Sequence, residues 1–293
     1  MTTPTSPADG LRRGAAGTVF RTCAATGRLI DLGAERLIKV HAVSSVVSLL
    51  IGAIAAVLLV LTRWQAVHLL PAAWFYRILG VHGMSMLIFF IIFFEMAVLI
   101  FASTVLLNAR NSAPKTSWTG LVLMLAGAVT VETMMWTGRA DVLFTSYVPL
   151  RAEPTFYLGV ILFAVGALVT VGVFFANLVV ARREQTYSGS LPLVVYGAMT
   201  AAIIAVITLV HGAAIYIPTY LWSLGLMNVD PEVYRMVWWG LGHSSQQINV
   251  AAMVAIWYML GALTIGSVVL NEKISRSAFV LYILFISMAS AHH

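Results

Sequence analysis

Seven apolar runs, at residues 40–62, 78–107, 117–137, 156–181, 191–218, 236–269 and 277–293, dominate this 293-residue sequence. A bilayer core takes about 20 residues of helix to cross, and inside it each backbone N–H and C=O needs a partner from its own segment. Runs of this length and number predict an all-α membrane protein, a bundle of seven transmembrane helices surrounded by lipid. Composition agrees: 60% of residues are hydrophobic and 10% charged, against about a quarter charged in a soluble domain. The single cysteine, Cys23, excludes an intrachain disulfide and a thiolate-based metal cluster. Pro71, Pro149, Pro154, Pro218 and Pro231 fall near the ends of the runs, where proline costs least.

A net charge of +6 could suggest nucleic acid. The basic residues instead occupy short loops between the apolar runs, the arrangement that orients a membrane protein, so no nucleic-acid partner is expected. With the N-terminus inside, the tail and the loops "NARNSAPK", "ARREQTYSGS" and "NEKISRS" place twelve of the 17 Lys and Arg residues on the inner side. Arg63, Arg77, Arg139, Arg151 and Arg235 are left outside. The first 30 residues contain arginines but no long apolar core, so residues 1–36 are expected to be a cytoplasmic tail and residues 37–293 a membrane domain. A multi-pass protein of the cell's inner (plasma) membrane follows.

Orientation converts sequence position into depth. His82 lies about one turn into helix 2 from the outer face, and His243 about two turns into helix 6, at 1.5 Å per residue. Helix 7 runs outward, so His292 and His293 reach the outer half as well. Four imidazoles from three helices thus share one layer. Neutral imidazole ligates haem iron and copper, and ionisable groups inside a membrane are functional candidates. His41, His68 and His211 are assigned to packing.

The residues around these histidines resemble a known family. "YRILGVHGMSMLIFFIIFF" resembles the second helix of subunit I of the haem–copper oxidases, "VDPEVYRMVWWGLGH" the approach to the sixth, and "SMASAHH" the end of the seventh. "VLFTSYVPLRAEPTFYLGV" resembles the family's helix 3–4 connection, in a form closest to the B-type branch. The similarity covers roughly residues 36–293. It implies the first part of a twelve-helix subunit I bundle. It also implies that His82 is an axial ligand of low-spin haem, and that His243, His292 and His293 ligate copper B or a non-haem iron facing a high-spin haem. Implied partners are the remaining helices or a second chain carrying the other haem ligands, a subunit II-like electron-entry subunit, and cytochrome c or quinol as donor.

The sequence departs from that pattern in two ways. It ends after the seventh helix, so a fragment or a split subunit is expected. The position four residues after His243, a tyrosine in similar oxygen-reducing members, is Gln247. Residues i and i+4 share a helix face, so Gln247 is expected beside His243 at the metal. An amide donates and accepts hydrogen bonds but supplies neither radical nor proton. Reduction of NO to N2O breaks no O–O bond, so an oxidoreductase of the nitric oxide reductase type is favoured over an O2-reducing cytochrome c or quinol oxidase. The bland reading of Gln246, Gln247, Asn249, Ser244 and Ser245 is hydrogen bonding between helices, and for Ser244 and Asn249 it is preferred.

Among the carboxylates, Glu95 is the proton-relay candidate, and Glu132 is expected to pair with Arg139 near the outer surface. Asp230 and Glu232 could assist proton or metal entry. Trp136, Trp238 and Trp239 are expected as interface anchors and haem-packing surface. Other classes stay open: a non-catalytic sensor of gas or metal, a degenerate accessory subunit, or a transporter. No pair of broken half-helices supports the last.

Overall fold

The computed structural model describes residues 11–14, 17–289 and 291. Seven long helices follow one another: α1 (Leu32–Arg63), α2 (Ala72–Thr104), α3 (Pro114–Trp136), α4 (Pro154–Arg183), α5 (Leu193–Ser223), α6 (Pro231–Ile265) and α7 (Glu272–Ala289). The first six are each long and apolar enough to cross a membrane. Helix α7 has 18 residues and opens on Glu272, Lys273 and Arg276.

Most helices begin before their apolar run does, and in two of them a polar cap accounts for the extension. Asp31 caps α1 by accepting from Gly33 N at 2.8 Å and Ala34 N at 3.3 Å, and Asp230 caps α6 through Glu232 N and Val233 N. Pro114, Pro154 and Pro231 occupy first turns, where no N–H is missed. Gly266, at φ +64°, ends α6. Pro218 differs from its expected place: α5 continues past it to Ser223.

The N-terminal tail holds a sheet that the hydrophobic pattern did not reveal. Strands β1 (Leu11–Arg13), β2 (Val19–Thr22) and β3 (Leu29–Asp31) pair antiparallel in that order. Arg21 on β2 grips Glu35 of α1 with two hydrogen bonds of 2.9 and 3.0 Å, which fixes the sheet against the bundle.

Loop contacts sort the helix ends into two groups. At one end Arg110 meets Glu184 at 2.9 Å, Asn111 N donates to Asp31, and Arg28 donates to Leu106 O. At the other end Arg77 meets Asp141, Arg139 meets Glu153, and Arg151 donates to Ser223 O at 2.7 Å. Successive helices from α1 to α5 therefore alternate in direction, as short loops between full-length spans require.

Helices α3 and α4 pack through glycine. A Cβ on Gly127 would stand 2.5 Å from Gly159 O, and one on Gly166 would collide with Gly120 O. The backbones meet directly, which gives close van der Waals packing where lipid offers no hydrophobic drive between helices. Helix α2 contains one π-helical stretch, Ser85–Phe90. Its disturbed ladder leaves Phe90 O to accept from Ser45 Oγ of α1 at 2.9 Å.

Candidate functional site

His82 sits half-buried on α2, one turn before the π stretch. Its Nδ1 lies 2.9 Å from Gly52 O on α1. A carbonyl only accepts, so Nδ1 carries the proton and Nε2 keeps its lone pair. That tautomer would suit a metal ligand, and the backbone oxygen orients the ring. Gly52 leaves room for Met86 at this crossing. A Cβ there would stand 2.6 Å from Met86 Sδ and 3.4 Å from Ser85 Cβ.

An aromatic wall links this region to α6. Phe144, in the α3–α4 connection, lies so close to Gly83 that a Cβ there would stand 2.9 Å from its ring. The Phe144 ring packs edge-on against Trp238, 5.8 Å between centroids, and Tyr147 packs on both Tyr234 and Trp238. Tyr234 donates to Thr145 O at 3.1 Å, which pins the connection to α6. Trp238 is 1% exposed, so it belongs to the interior wall and not to the lipid interface; Trp136, 39% exposed, does face outward.

His243 follows on α6, half-buried between Gly242 and Ser244. His292 and His293 lie outside the described residues. Among the described residues no group of three or more His, Cys, Asp or Glu is arranged to hold a metal, as expected when two of the three proposed imidazoles lie outside them. Gln247 is not isolated on its helix: its Oε1 accepts from the Tyr282 hydroxyl of α7 at 2.5 Å. Sequence reasoning missed Tyr282. Its only signal was a phenol in the outward-running span that ends on the histidine pair. Asn249 bonds within its own helix, donating to Met253 Sδ at 3.3 Å, and not between helices as expected.

An apolar cavity of about 70 Å³ lies among α2, α4, α5 and α6. Met84, Ile88, Phe163, Trp238, Leu241 and Ile248 are among its lining residues, so it adjoins the turn that carries His243.

Of the remaining histidines, His68 Nδ1 meets Thr62 O at 3.1 Å and His211 Nδ1 meets Ile207 O at 2.9 Å. His41 is fully buried, its ring 6.0 Å from Phe93. Glu95 is fully buried on α2, and neither carboxyl oxygen has a hydrogen-bond partner among the described residues. The expected Glu132–Arg139 pair does not form. Ser85 Oγ donates to Glu132 Oε1 at 2.6 Å, while Arg139 reaches Glu153 at 2.5 Å because the loop folds back over it. Asp230 is committed to capping α6.

Fold and site define a class first: a multi-pass helical membrane protein in which α2 carries His82, its Nδ1 bound to a backbone carbonyl of α1, and the neighbouring α6 carries His243. Residues 36–293 match the family described as Cytochrome C and Quinol oxidase polypeptide I. The chain belongs to that family and is haem–copper oxidase subunit I-like. Cytochrome c oxidase subunit 1 of Thermus thermophilus is 28% identical over 225 residues, which cover 75% of this chain and 39% of that protein. A haem–copper terminal oxidase dimer solved by cryo-electron microscopy superposes with a TM-score of 0.82 at 24% identity, over 90% of this chain and 46% of the other. At that identity the likeness is one of fold. The chain spans less than half the length of either relative.

Proposed function

We propose that residues 37–293 are the helix 1–7 portion of the catalytic subunit of a membrane-bound respiratory reductase, preceded by a cytoplasmic segment at residues 1–36. Family membership implies haem and a metal, and the residues at His82 fit: a bare Nε2, a tautomer fixed by Gly52 O, and a glycine crossing that brings the carbonyl close. His82 would hold low-spin haem. His243, with His292 and His293, would hold copper or non-haem iron opposite a high-spin haem. The missing haem ligands would come from further helices or a second chain, and electrons from cytochrome c or quinol through a subunit II-like partner. When bound, these groups supply electron transfer and Lewis-acid activation of a diatomic gas.

The protein's own residues define the surroundings of that chemistry. The cavity lined by Met84, Phe163 and Trp238 suits a small uncharged molecule and excludes ions. Gln247 supplies hydrogen bonds but no proton at neutral pH. Glu95, buried and without a hydrogen-bond partner among the described residues, is the residue we assign to hold a proton in transit. Reduction of NO balances as 2 NO + 2 e⁻ + 2 H⁺ → N2O + H2O, with no demand for a phenol. The observation that carries the reading is the match of residues 36–293 to the family, and the His82–Gly52 hydrogen bond, which ties the ring to a second helix, is consistent with it.

One observation favours a second reading, reduction of O2. A phenol does reach Gln247, from α7 and not from α6. Turnover by the purified complex separates the two. Consumption of NO with formation of N2O is expected, and brisk O2 reduction without NO turnover reverses the substrate assignment. His82→Ala is expected to remove the low-spin component from the reduced-minus-oxidised spectrum while the protein still folds. An unchanged low-spin spectrum would refute that ligand.

A further inference from the structure

Gln247 is the polar side chain that helix geometry sets one turn from His243. A glutamine amide has two ends of opposite character, a carbonyl that accepts and an NH2 that donates. Left to itself it can turn end for end, and a ligand beside it would meet an average of both. In this chain the amide is held. The Tyr282 hydroxyl donates to Gln247 Oε1 at 2.5 Å, a short contact between two half-buried side chains on different helices. Tyr282 itself lies at the seam between the two helices. It borders a cavity of about 120 Å³ between α6 and α7, which Val250, Val254, Ala278 and Phe279 also line.

We infer that Tyr282 is a positioning residue for the diatomic site: by engaging the Gln247 carbonyl it presents the Gln247 NH2 as a hydrogen-bond donor to the gas bound beside His243. This rests on the reductase reading above. A diatomic that receives electron density gathers negative charge on its outer atom, and an N–H aimed at that atom stabilises it where a carbonyl would repel it. The arrangement requires no redox change in Tyr282 and no proton loss, so it serves NO and O2 alike. The same hydrogen bond joins α6, which bears His243, to α7, which leads to His292 and His293.

Carbon monoxide bound to the reduced holoenzyme is the probe, because its stretching frequency reports the polarity next to its oxygen whether or not the enzyme turns over. The unaltered protein is expected to give one narrow band. Tyr282→Phe is expected to split or broaden it as the amide gains a second orientation, and Gln247→Leu to move it to a single higher frequency. Adding Tyr282→Phe to Gln247→Leu is expected to leave the band where Gln247→Leu alone puts it, a result that a general loosening of the helices would not give. An identical band in Tyr282→Phe and the unaltered protein, with haem content intact, overturns the inference. If Tyr282→Phe fails to assemble, Gln247→Asn withdraws the amide while leaving Tyr282 in place, and an unmoved band there overturns it equally. Absence of any carbon monoxide band in the unaltered holoenzyme would defeat the reductase reading itself, and the inference with it.

Discussion

Gly52 illustrates how one hydrogen atom in place of a methyl can set the orientation of an imidazole. Its carbonyl orients His82, and its missing Cβ admits Met86. Gly52→Ala should cost about 1–3 kcal/mol by overpacking and push the carbonyl off the imidazole. Low-spin haem content should fall and the thermal midpoint drop, and the added change Met86→Ala should restore both. Difference spectra and thermal unfolding of the assembled protein check this, and an unaltered spectrum in Gly52→Ala would mean that the carbonyl does not hold the ring. The flanking residues single out His82 in the sequence, but Gly52 lies 30 positions earlier in a run of small and aliphatic residues that reads as lipid-facing. The error over Glu132 has a similar cause. Arg139 is seven residues on, close to the same helical face, and nothing local shows that Glu153 folds back over it or that Ser85 reaches Glu132 first. A double-mutant cycle on Arg139 and Glu153, both about half exposed, should give about 0.2–1 kcal/mol of coupling. The cycle on Arg139 and Glu132 should give none.

The helices were the readable part, since twenty-odd apolar residues in lipid have few alternatives to a helix. Their ends were less so: α1 begins at Leu32, eight residues before the apolar run, because Asp31 caps it and Glu35 finds Arg21. The strands were unreadable, being three or four residues long, the first two interrupted by arginines. Tyr282 was hidden for another reason, since its partner Gln247 lies on a different helix and only packing reveals the pair. Helix pairing follows the glycines, which the sequence displays without saying what they face. Gly127→Val should force α3 from α4, because the new side chain would meet the Gly159 carbonyl and the Phe163 backbone. Loss of folded protein after detergent extraction is the expected result. Gly172→Ala is the control, as a Cβ there meets nothing within 4 Å. It should be neutral or stabilise by about 0.4–1 kcal/mol through reduced freedom of the unfolded chain. Equal behaviour of the two variants would show that the glycine pairs do not decide the helix contact.

At the scale of the whole molecule the open physical question is which end faces the cytoplasm, because every depth assigned to a histidine inherits the answer. The two sets of end contacts prove only that the helices alternate; the excess of Lys and Arg on the end bearing the N-terminal sheet supplies the sign. Cys23, the single cysteine, lies in that sheet's last turn and is partly accessible. A hydrogen bond from Thr26 holds its thiol below the ordinary range, so more thiolate is present at a given pH and labelling should accelerate as pH rises through that lowered value. A membrane-impermeant maleimide should therefore modify Cys23 in inside-out vesicles and spare it in right-side-out ones. Leu226→Cys, placed in the α5–α6 loop where Leu226 is 73% exposed, should give the mirror result when introduced together with Cys23→Ser. Labelling of Cys23 from the outside alone would invert the molecule. His82 and His243 would then lie near the cytoplasmic face, Glu95 toward the outer one, and the proton route assigned to that carboxyl would run the wrong way.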